Sequence, residues 1–134
     1  MRRISSRERP ACDRRALGAA AEAAAASFLE RHGLVILLRN FQCRFGELDI
    51  VALQPPDVLV IAEVRLRSRG DYGGGAASVD AHKQRRLHLA ARQLLLRRPA
   101  LSRLRARFDV LELKAPAGDG ASPDIHWIRA AFGA

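Results

Sequence analysis

Two strand-length segments on either side of a double-proline turn constrain this chain most. Residues 46–53 and 58–66 alternate apolar and charged side chains, and residues 54–57 between them read Gln-Pro-Pro-Asp. Alternation with a period of two is typical of β-strands, and the proline pair before an Asp favours a turn. The pattern therefore predicts an antiparallel hairpin that carries charged side chains on one face.

The register of this hairpin decides which charged side chains meet. If the numbers of paired positions add up to about 112, Asp49 lies opposite Glu63 and Glu47 lies opposite Arg65, at the roughly 5 Å Cβ spacing of cross-strand pairs. A slip of one residue would move every side chain to the other face. The alternation alone is compatible with either register.

The N-terminal part of the chain predicts a tail followed by a helix. Residues 1–15 are rich in Arg and contain almost nothing to bury, so we expect a disordered basic tail there. Residues 16–32 are dominated by Ala and are followed by Gly33, which predicts one helix and its end. Residues 34–38 form an apolar run of strand length. We expect residues 16–134 to form a single domain.

The second half of the chain predicts a loop, a helix and two strands. Residues 67–77 are polar and Gly-rich, as in a loop. Apolar residues recur at helical spacing in residues 78–98, with Ser78 as the expected cap. Residues 107–114 and 125–128 predict the last two strands. The whole order gives an α/β fold, with a central mixed sheet flanked by helices.

The composition is that of a compact domain from a reducing compartment. The chain has 134 residues, 49% of them hydrophobic, and its longest uninterrupted apolar stretches have five residues. A membrane helix needs about 20 such residues, so we expect no membrane span. Cys12 and Cys43 cannot form a disulfide framework and show no zinc-ligand spacing. We expect a cytoplasmic protein.

The charge balance indicates a polyanionic partner. Lys and Arg total 23 against 14 Asp and Glu, so the formal net charge is +9. Residues 63–107 alone carry 12 basic residues against three acidic ones, an excess typical of surfaces that bind the nucleic-acid backbone. The alternative is a solvated helix face in an Arg-rich proteome. The residues predicted to bind nucleic acid are Arg67, Arg69, Lys83, Arg85 and Arg86.

Two acidic residues stand at the ends of otherwise apolar strands. Glu63 directly follows the apolar run 58–62, and Asp49 directly precedes another apolar run. Carboxylates this close repel each other unless a cation or a shared proton neutralises them. Mg²⁺ accepts hard oxygen ligands and activates water toward phosphorus, so the pattern favours a metal site. The alternative is a solvent-facing hairpin surface on which Arg65 pairs with Glu47 or Glu63.

Several blocks of the sequence occur together in one order. They are Glu22 in the first helix, residues 46–52 (GELDIVA), residues 60–65 (VIAEVR), residues 73–78 with Lys83, and residues 107–110 (RFDV). These blocks resemble the YraN family of small bacterial proteins, over residues 18–132. That family is similar in fold to restriction-endonuclease-like nucleases with the PD-(D/E)XK motif, including archaeal Holliday junction resolvases. The resemblance implies that residues 16–134 form a single endonuclease-like domain, with the three layers of the restriction-endonuclease-like fold.

The resemblance also implies roles for individual residues. Asp49 and Glu63 correspond to the metal-binding acids, with Mg²⁺ or Mn²⁺ as cofactor, and Glu22 is brought to the same site. Arg65 stands where the nuclease motif has lysine, and a guanidinium stays charged, so Arg65 would bind the scissile phosphate. The implied catalytic set is Glu22, Asp49, Glu63 and Arg65. Lys83 is the lysine near enough in the chain to replace the missing one.

Three functions are compatible with these features. The first is a protein that binds duplex or branched DNA and hydrolyses phosphodiesters with a metal ion. A homodimer fits this function, because cutting a junction usually needs two sites. The second is a non-catalytic nucleic-acid-binding or adaptor module whose acids form an ion-pair cluster with Arg65. The third is a protein-interaction domain whose charge only aids solubility.

Overall fold

The computed structural model of the protein describes residues 11–67, 79–114 and 122–133. Within these ranges, two helices and five strands follow one another in the predicted order. The elements are α1 (Ala11–Arg31), β1 (Val35–Cys43), β2 (Gly46–Gln54), β3 (Val58–Arg67), α2 (Ala81–Arg97), a 3-10 turn (Pro99–Arg103), β4 (Arg105–Lys114) and β5 (Asp124–Phe132).

The ends of several elements differ from the expected ones. Helix α1 begins at Ala11, inside the segment assigned to a tail, whereas residues 1–10 lie outside the described residues. Strand β1 continues past residue 38 to Cys43, and β5 is longer than residues 125–128. Most of the predicted Gly-rich loop, from residue 68 onward, lies outside the described residues. Pairing with neighbouring strands therefore extends strands beyond their apolar centres.

The five strands form one mixed sheet in the order β1-β2-β3-β4-β5. Only β3 and β4 pair in parallel, and the other neighbours are antiparallel. The hairpin of β2 and β3 has the expected register, because its pairs run from Ile50↔Ala62 to Gln54↔Val58 and each pair adds up to 112. Central strand β3 is buried on both faces from Leu59 to Glu63, as expected for a strand with a parallel neighbour.

One helix covers each face of the sheet. Small residues on α1, including Ala21 and Ala25, pack with Leu29 against one face, where Ile50 and Val60 are fully buried. Helix α2 packs through Leu94 and its neighbours against the other face. Burial of apolar surface contributes roughly 25 cal/mol per Å² to the free energy of unfolding. The two interfaces between helix and sheet are therefore the main source of stability. The α/β fold with a central mixed sheet is therefore confirmed.

The helix ends show which sequence signals determine them. Gly33 has φ +89°, and the backbone N–H groups of Gly33 and Leu34 donate to the carbonyls of Glu30 and Leu29, so the expected stop is present. The expected cap of α2 is wrong. Asp80, rather than Ser78, caps the helix by accepting from the Lys83 N–H at 2.8 Å, while residue 78 lies outside the described residues. A carboxylate also interacts favourably with the helix N-terminus.

Asp109 ties β4 to β5 at an irregularity of their pairing. Its carboxylate is fully buried and accepts hydrogen bonds from the Arg107 guanidinium at 2.9 and 3.0 Å. It also accepts from the Trp127 indole N–H and from the backbone N–H of Ala130, both at 2.9 Å. The strand register shifts at this point, and Ala130 has φ +50°. The Asp109 carboxylate thus takes the place of a backbone carbonyl as the acceptor for the Ala130 N–H, where the β4–β5 register is shifted.

Neither helix within the described ranges is long and apolar enough to cross a membrane.

Candidate metal and nucleic-acid site

Strands β2 and β3 part at Asp49. Their ladder ends at the pair Ile50↔Ala62, so Asp49 and Glu63 adjoin the last pair instead of forming one. Beyond it the backbone N–H of Val64 donates to Asp49 Oδ2 at 2.9 Å. Ile50 belongs to the core beneath α1 and Leu48 to the core beneath α2. The hairpin therefore opens at one end, and a carboxylate fills the opening.

Acidic side chains from three elements, α1, β2 and β3, converge on this opening. One carboxylate oxygen from each of Glu22, Glu47 and Asp49 lies within 4.8 Å of the others. Glu63 lines one open pocket of about 240 Å³ together with Asp49 and Glu47. The structure thus brings Glu22, Asp49 and Glu63 together, as expected, and adds Glu47.

The crowding of acids alters their protonation. Burial, followed by the charge of Glu63, raises the pKa of Asp49 to about 8, although the Val64 hydrogen bond opposes the rise. Burial and then the charge of Glu47 raise the pKa of Glu22, and a hydrogen bond from the Asn40 side chain lowers it. Such a set of half-buried carboxylate oxygens fits Mg²⁺ or Mn²⁺, because a divalent cation would neutralise their repulsion.

Lys83 reaches the site from α2, which covers the face of the sheet opposite to α1. Its Nζ lies 2.7 Å from Glu63 Oε2, whereas Arg65 Nη1 lies 4.0 Å from the same oxygen. The Glu63 side chain is only 7% exposed, while the Lys83 side chain is 42% exposed. The alternative of a solvent-facing hairpin surface gave Arg65 as the partner of Glu47 or Glu63, whereas the closer partner of Glu63 is Lys83.

The pocket wall is cationic on the side of α2. Lys83 and Arg86 line the pocket. Arg86 Nε donates to the Phe45 carbonyl at 3.1 Å and so fastens α2 to the β1–β2 turn. Gly46 has φ +143°, and a Cβ at this position would lie 3.5 Å from Arg86 Nη2. That distance is an ordinary contact, so the backbone conformation of the turn that precedes Glu47, rather than space beside the helix, favours glycine here.

The other residues predicted to bind nucleic acid are spread more widely. Arg67 Nε lies 2.9 Å from Glu112 Oε2, and Glu112 is nearly buried, so Arg67 already has a carboxylate partner. Arg85 is exposed on α2. Arg69 lies outside the described residues. The structure therefore places Lys83 and Arg86 at the pocket and Arg85 on the adjoining helix surface.

Sequence reasoning missed two polar residues of the site, the acid Glu47 and the amide Asn40. Asn40 has φ +56° in β1, a conformation that Asn tolerates better than most residues, and its side chain reaches Glu22. Asn40 lies two residues beyond the apolar run 34–38, so the sequence pattern carried no signal that placed it in a strand beside Glu22. Glu47 was assigned to the charged face of the hairpin without a part in the metal site.

The five-stranded mixed sheet between two helices, with acids where β2 and β3 part, has the arrangement of a three-layer restriction-endonuclease-like domain. The profile of the Uncharacterised protein family UPF0102 matches residues 21–113. The chain belongs to this family, which is the YraN family indicated by its sequence.

Relatives from several bacteria share most of the chain. A UPF0102 protein of Xanthomonas campestris pv. campestris is 50% identical over 115 residues, which cover 86% of this chain and 89% of the relative. The corresponding protein of Alcanivorax borkumensis is 44% identical over 115 residues, covering 86% and 90%. That of Methylobacillus flagellatus is 42% identical over 118 residues, covering 88% and 97%. The similarity therefore extends over nearly the whole of each relative.

Proposed function

We propose that this protein binds DNA, duplex or branched, in the bacterial cytoplasm and hydrolyses its phosphodiesters with the help of Mg²⁺ or Mn²⁺. The observation that carries the proposal is the convergence of Glu22, Glu47 and Asp49 where two strands part. Glu63 adds a nearly buried carboxylate beside them. Acids gathered beside basic side chains of α2 suit a substrate that is itself a polyanion.

Asp49 and Glu63 would hold the metal ion, and Glu22 would complete or tune its ligand set. Bound Mg²⁺ supplies Lewis acidity and neutralises charge at the phosphorus under attack. Hydrolysis joins a water oxygen to phosphorus and breaks one phosphorus–oxygen ester bond. The Arg65 guanidinium, whose Nη1 lies 4.0 Å from Glu63 Oε2, would bind the phosphate and stabilise its charge in the transition state.

Basic side chains at the pocket and beside it would hold the DNA backbone. Arg85 and Arg86 lie on α2, and Arg67 lies on β3 beyond Arg65. Contacts of this type are largely independent of sequence and weaken as salt displaces them. A homodimer would present two such sites to a branched substrate.

A second function is favoured by the 2.7 Å ion pair between Lys83 and Glu63. In a non-catalytic DNA-binding or adaptor module, such pairs would satisfy the acids without any metal ion. The cluster would then contribute to stability and orientation of α2 rather than to chemistry. The two functions differ in their response to metal ions and to loss of Asp49.

A cleavage assay separates the two functions. Labelled four-way junction, duplex and single-stranded DNA are incubated at physiological salt with EDTA, Mg²⁺ or Mn²⁺, for the wild type and for Asp49→Asn. We expect cleavage that needs a metal and disappears in the variant, while DNA binding remains. Binding without cleavage under every condition would establish the adaptor function, and absence of binding to all three DNAs would contradict both.

A further inference from the structure

We propose that Lys83 is a built-in counter-ion of the candidate site, and that a divalent cation displaces its ammonium group from Glu63 on binding. This inference rests on the proposed function, because it takes Asp49 and Glu63 as the acids that hold the metal ion. The proposal explains how the negative charge of the acids is balanced before a metal ion binds.

The contact between Lys83 and Glu63 is the closest ion pair among the described residues of the pocket. At 2.7 Å from Glu63 Oε2, the ammonium makes a charge-assisted hydrogen bond. Arg65 Nη1 stands at 4.0 Å from the same oxygen, beyond hydrogen-bond distance. The charge of this nearly buried carboxylate is thus balanced most closely by a group from α2.

The two partners differ in how firmly they are held. Glu63 lies on central strand β3, aligned with Val110 of β4, and its side chain is 7% exposed. The backbone of Lys83 is fixed in the first turn of α2, where its N–H donates to Asp80 at 2.8 Å. Its side chain is 42% exposed and has a flexible four-carbon stem. The ammonium is therefore the partner that can leave, and the carboxylate stays in place.

A metal ion and the ammonium compete for the same oxygen. A divalent cation that takes Glu63 Oε2 as a ligand brings two positive charges close to the Lys83 ammonium, and the cations repel each other. Once released, the ammonium remains tethered to the pocket wall that it shares with Arg86. There it can pair with a phosphate, so metal binding should strengthen DNA binding, and by thermodynamic reciprocity DNA should strengthen metal binding.

The test is a titration of the full-length, metal-free protein with Mn²⁺ in the absence of DNA, followed by electron paramagnetic resonance. Wild type is compared with Lys83→Met, with Lys83→Gln as a second neutral variant and Lys83→Arg as the charged one. Arg92→Met is the matched control, because Arg92 is an exposed cation of the same helix. Circular dichroism verifies that each variant is folded.

We expect Mn²⁺ to bind the two neutral variants about tenfold more tightly than wild type, because their site lacks the competing cation. Lys83→Arg and Arg92→Met should bind it nearly as wild type does. In a second measurement, Mn²⁺ should raise the affinity of a short duplex for wild type by severalfold more than for Lys83→Met.

Unchanged or weaker Mn²⁺ binding by Lys83→Met and Lys83→Gln would overturn the exchange while leaving the metal site intact. Equal tightening in Arg92→Met would also overturn it, since a general charge effect would then suffice. If Mn²⁺ binds none of the proteins, the metal site of the proposed function fails, and the exchange fails with it.

Discussion

Replacing Asp49 by Asn should change how the stability of the metal-free protein depends on pH. The pKa of Asp49 rises from an ordinary 3.8 to about 8 in the folded protein, chiefly through burial and then through the charge of Glu63. Below about pH 4 the carboxyl is protonated in both the folded and the unfolded chain. Between the two values the folded chain keeps a proton that the unfolded chain has lost, so stability falls as the pH rises.

The size of the effect follows from this difference in bound protons. One proton held only by the folded chain changes the free energy of unfolding by about 1.4 kcal/mol per pH unit. The upper bound between pH 5 and pH 7 is therefore about 2.7 kcal/mol. Because the Asp49 side chain keeps partial contact with solvent, we expect the wild type to lose about 2 kcal/mol relative to Asp49→Asn over this interval.

Urea unfolding at pH 5, 6 and 7 in the presence of EDTA measures this difference. Titrating groups away from the acid cluster contribute almost equally to both proteins, so they cancel when the two pH profiles are subtracted. Asp124→Asn serves as the matched control, because Asp124 is an exposed Asp at the start of β5, and its profile should follow wild type. Parallel profiles for wild type and Asp49→Asn would refute the assigned pKa and the crowding of acids from which it follows.

Three further outcomes are expected. Asp109→Ala should lower the free energy of unfolding, measured by urea titration, by roughly 3–5 kcal/mol, because it leaves the Arg107 guanidinium without its buried carboxylate. A loss below about 1 kcal/mol would contradict this role of Asp109. In calorimetry, Mg²⁺ should raise the thermal midpoint of wild type more at pH 8 than at pH 5, and it should leave the midpoint of Asp49→Asn unchanged. An equal rise in the midpoints of Asp49→Asn and wild type would count against the metal site. Arg85→Ala combined with Arg86→Ala should weaken DNA binding and reduce the salt slope by about 2, and an unaltered slope in fluorescence anisotropy would remove both residues from the interface.

Much of the fold could be predicted because its signals are local. The proline pair and the flanking alternation are contained in about 20 residues, and they predict the β2–β3 hairpin. The observed register, in which paired positions add up to 112, is one of the two that the alternation allows. Gly33 likewise marks the end of α1 through its own backbone conformation. Segment ends were less predictable, because pairing with a neighbour lengthens β1 and β5 beyond their apolar residues.

The site was predictable only in part. Alternation and the family resemblance pointed to Asp49 and Glu63, which lie on adjacent strands. The contact of Lys83 with Glu63 depends on how α2 docks on the sheet, and the intervening loop sequence does not specify that geometry. The hydrogen bond between Asn40 and Glu22 could not be predicted for a similar reason, since it joins β1 to α1.

The two outer strands of the sheet are both interrupted, and this bears on how copies of the protein associate. In β1 the register shifts between Ile36 and Leu38 and Asn40 has a left-handed backbone, while β5 shifts beside the left-handed Ala130. These breaks disrupt the rows of free N–H and C=O groups that another strand would need. Strand-to-strand aggregation is thereby disfavoured at both edges of the sheet.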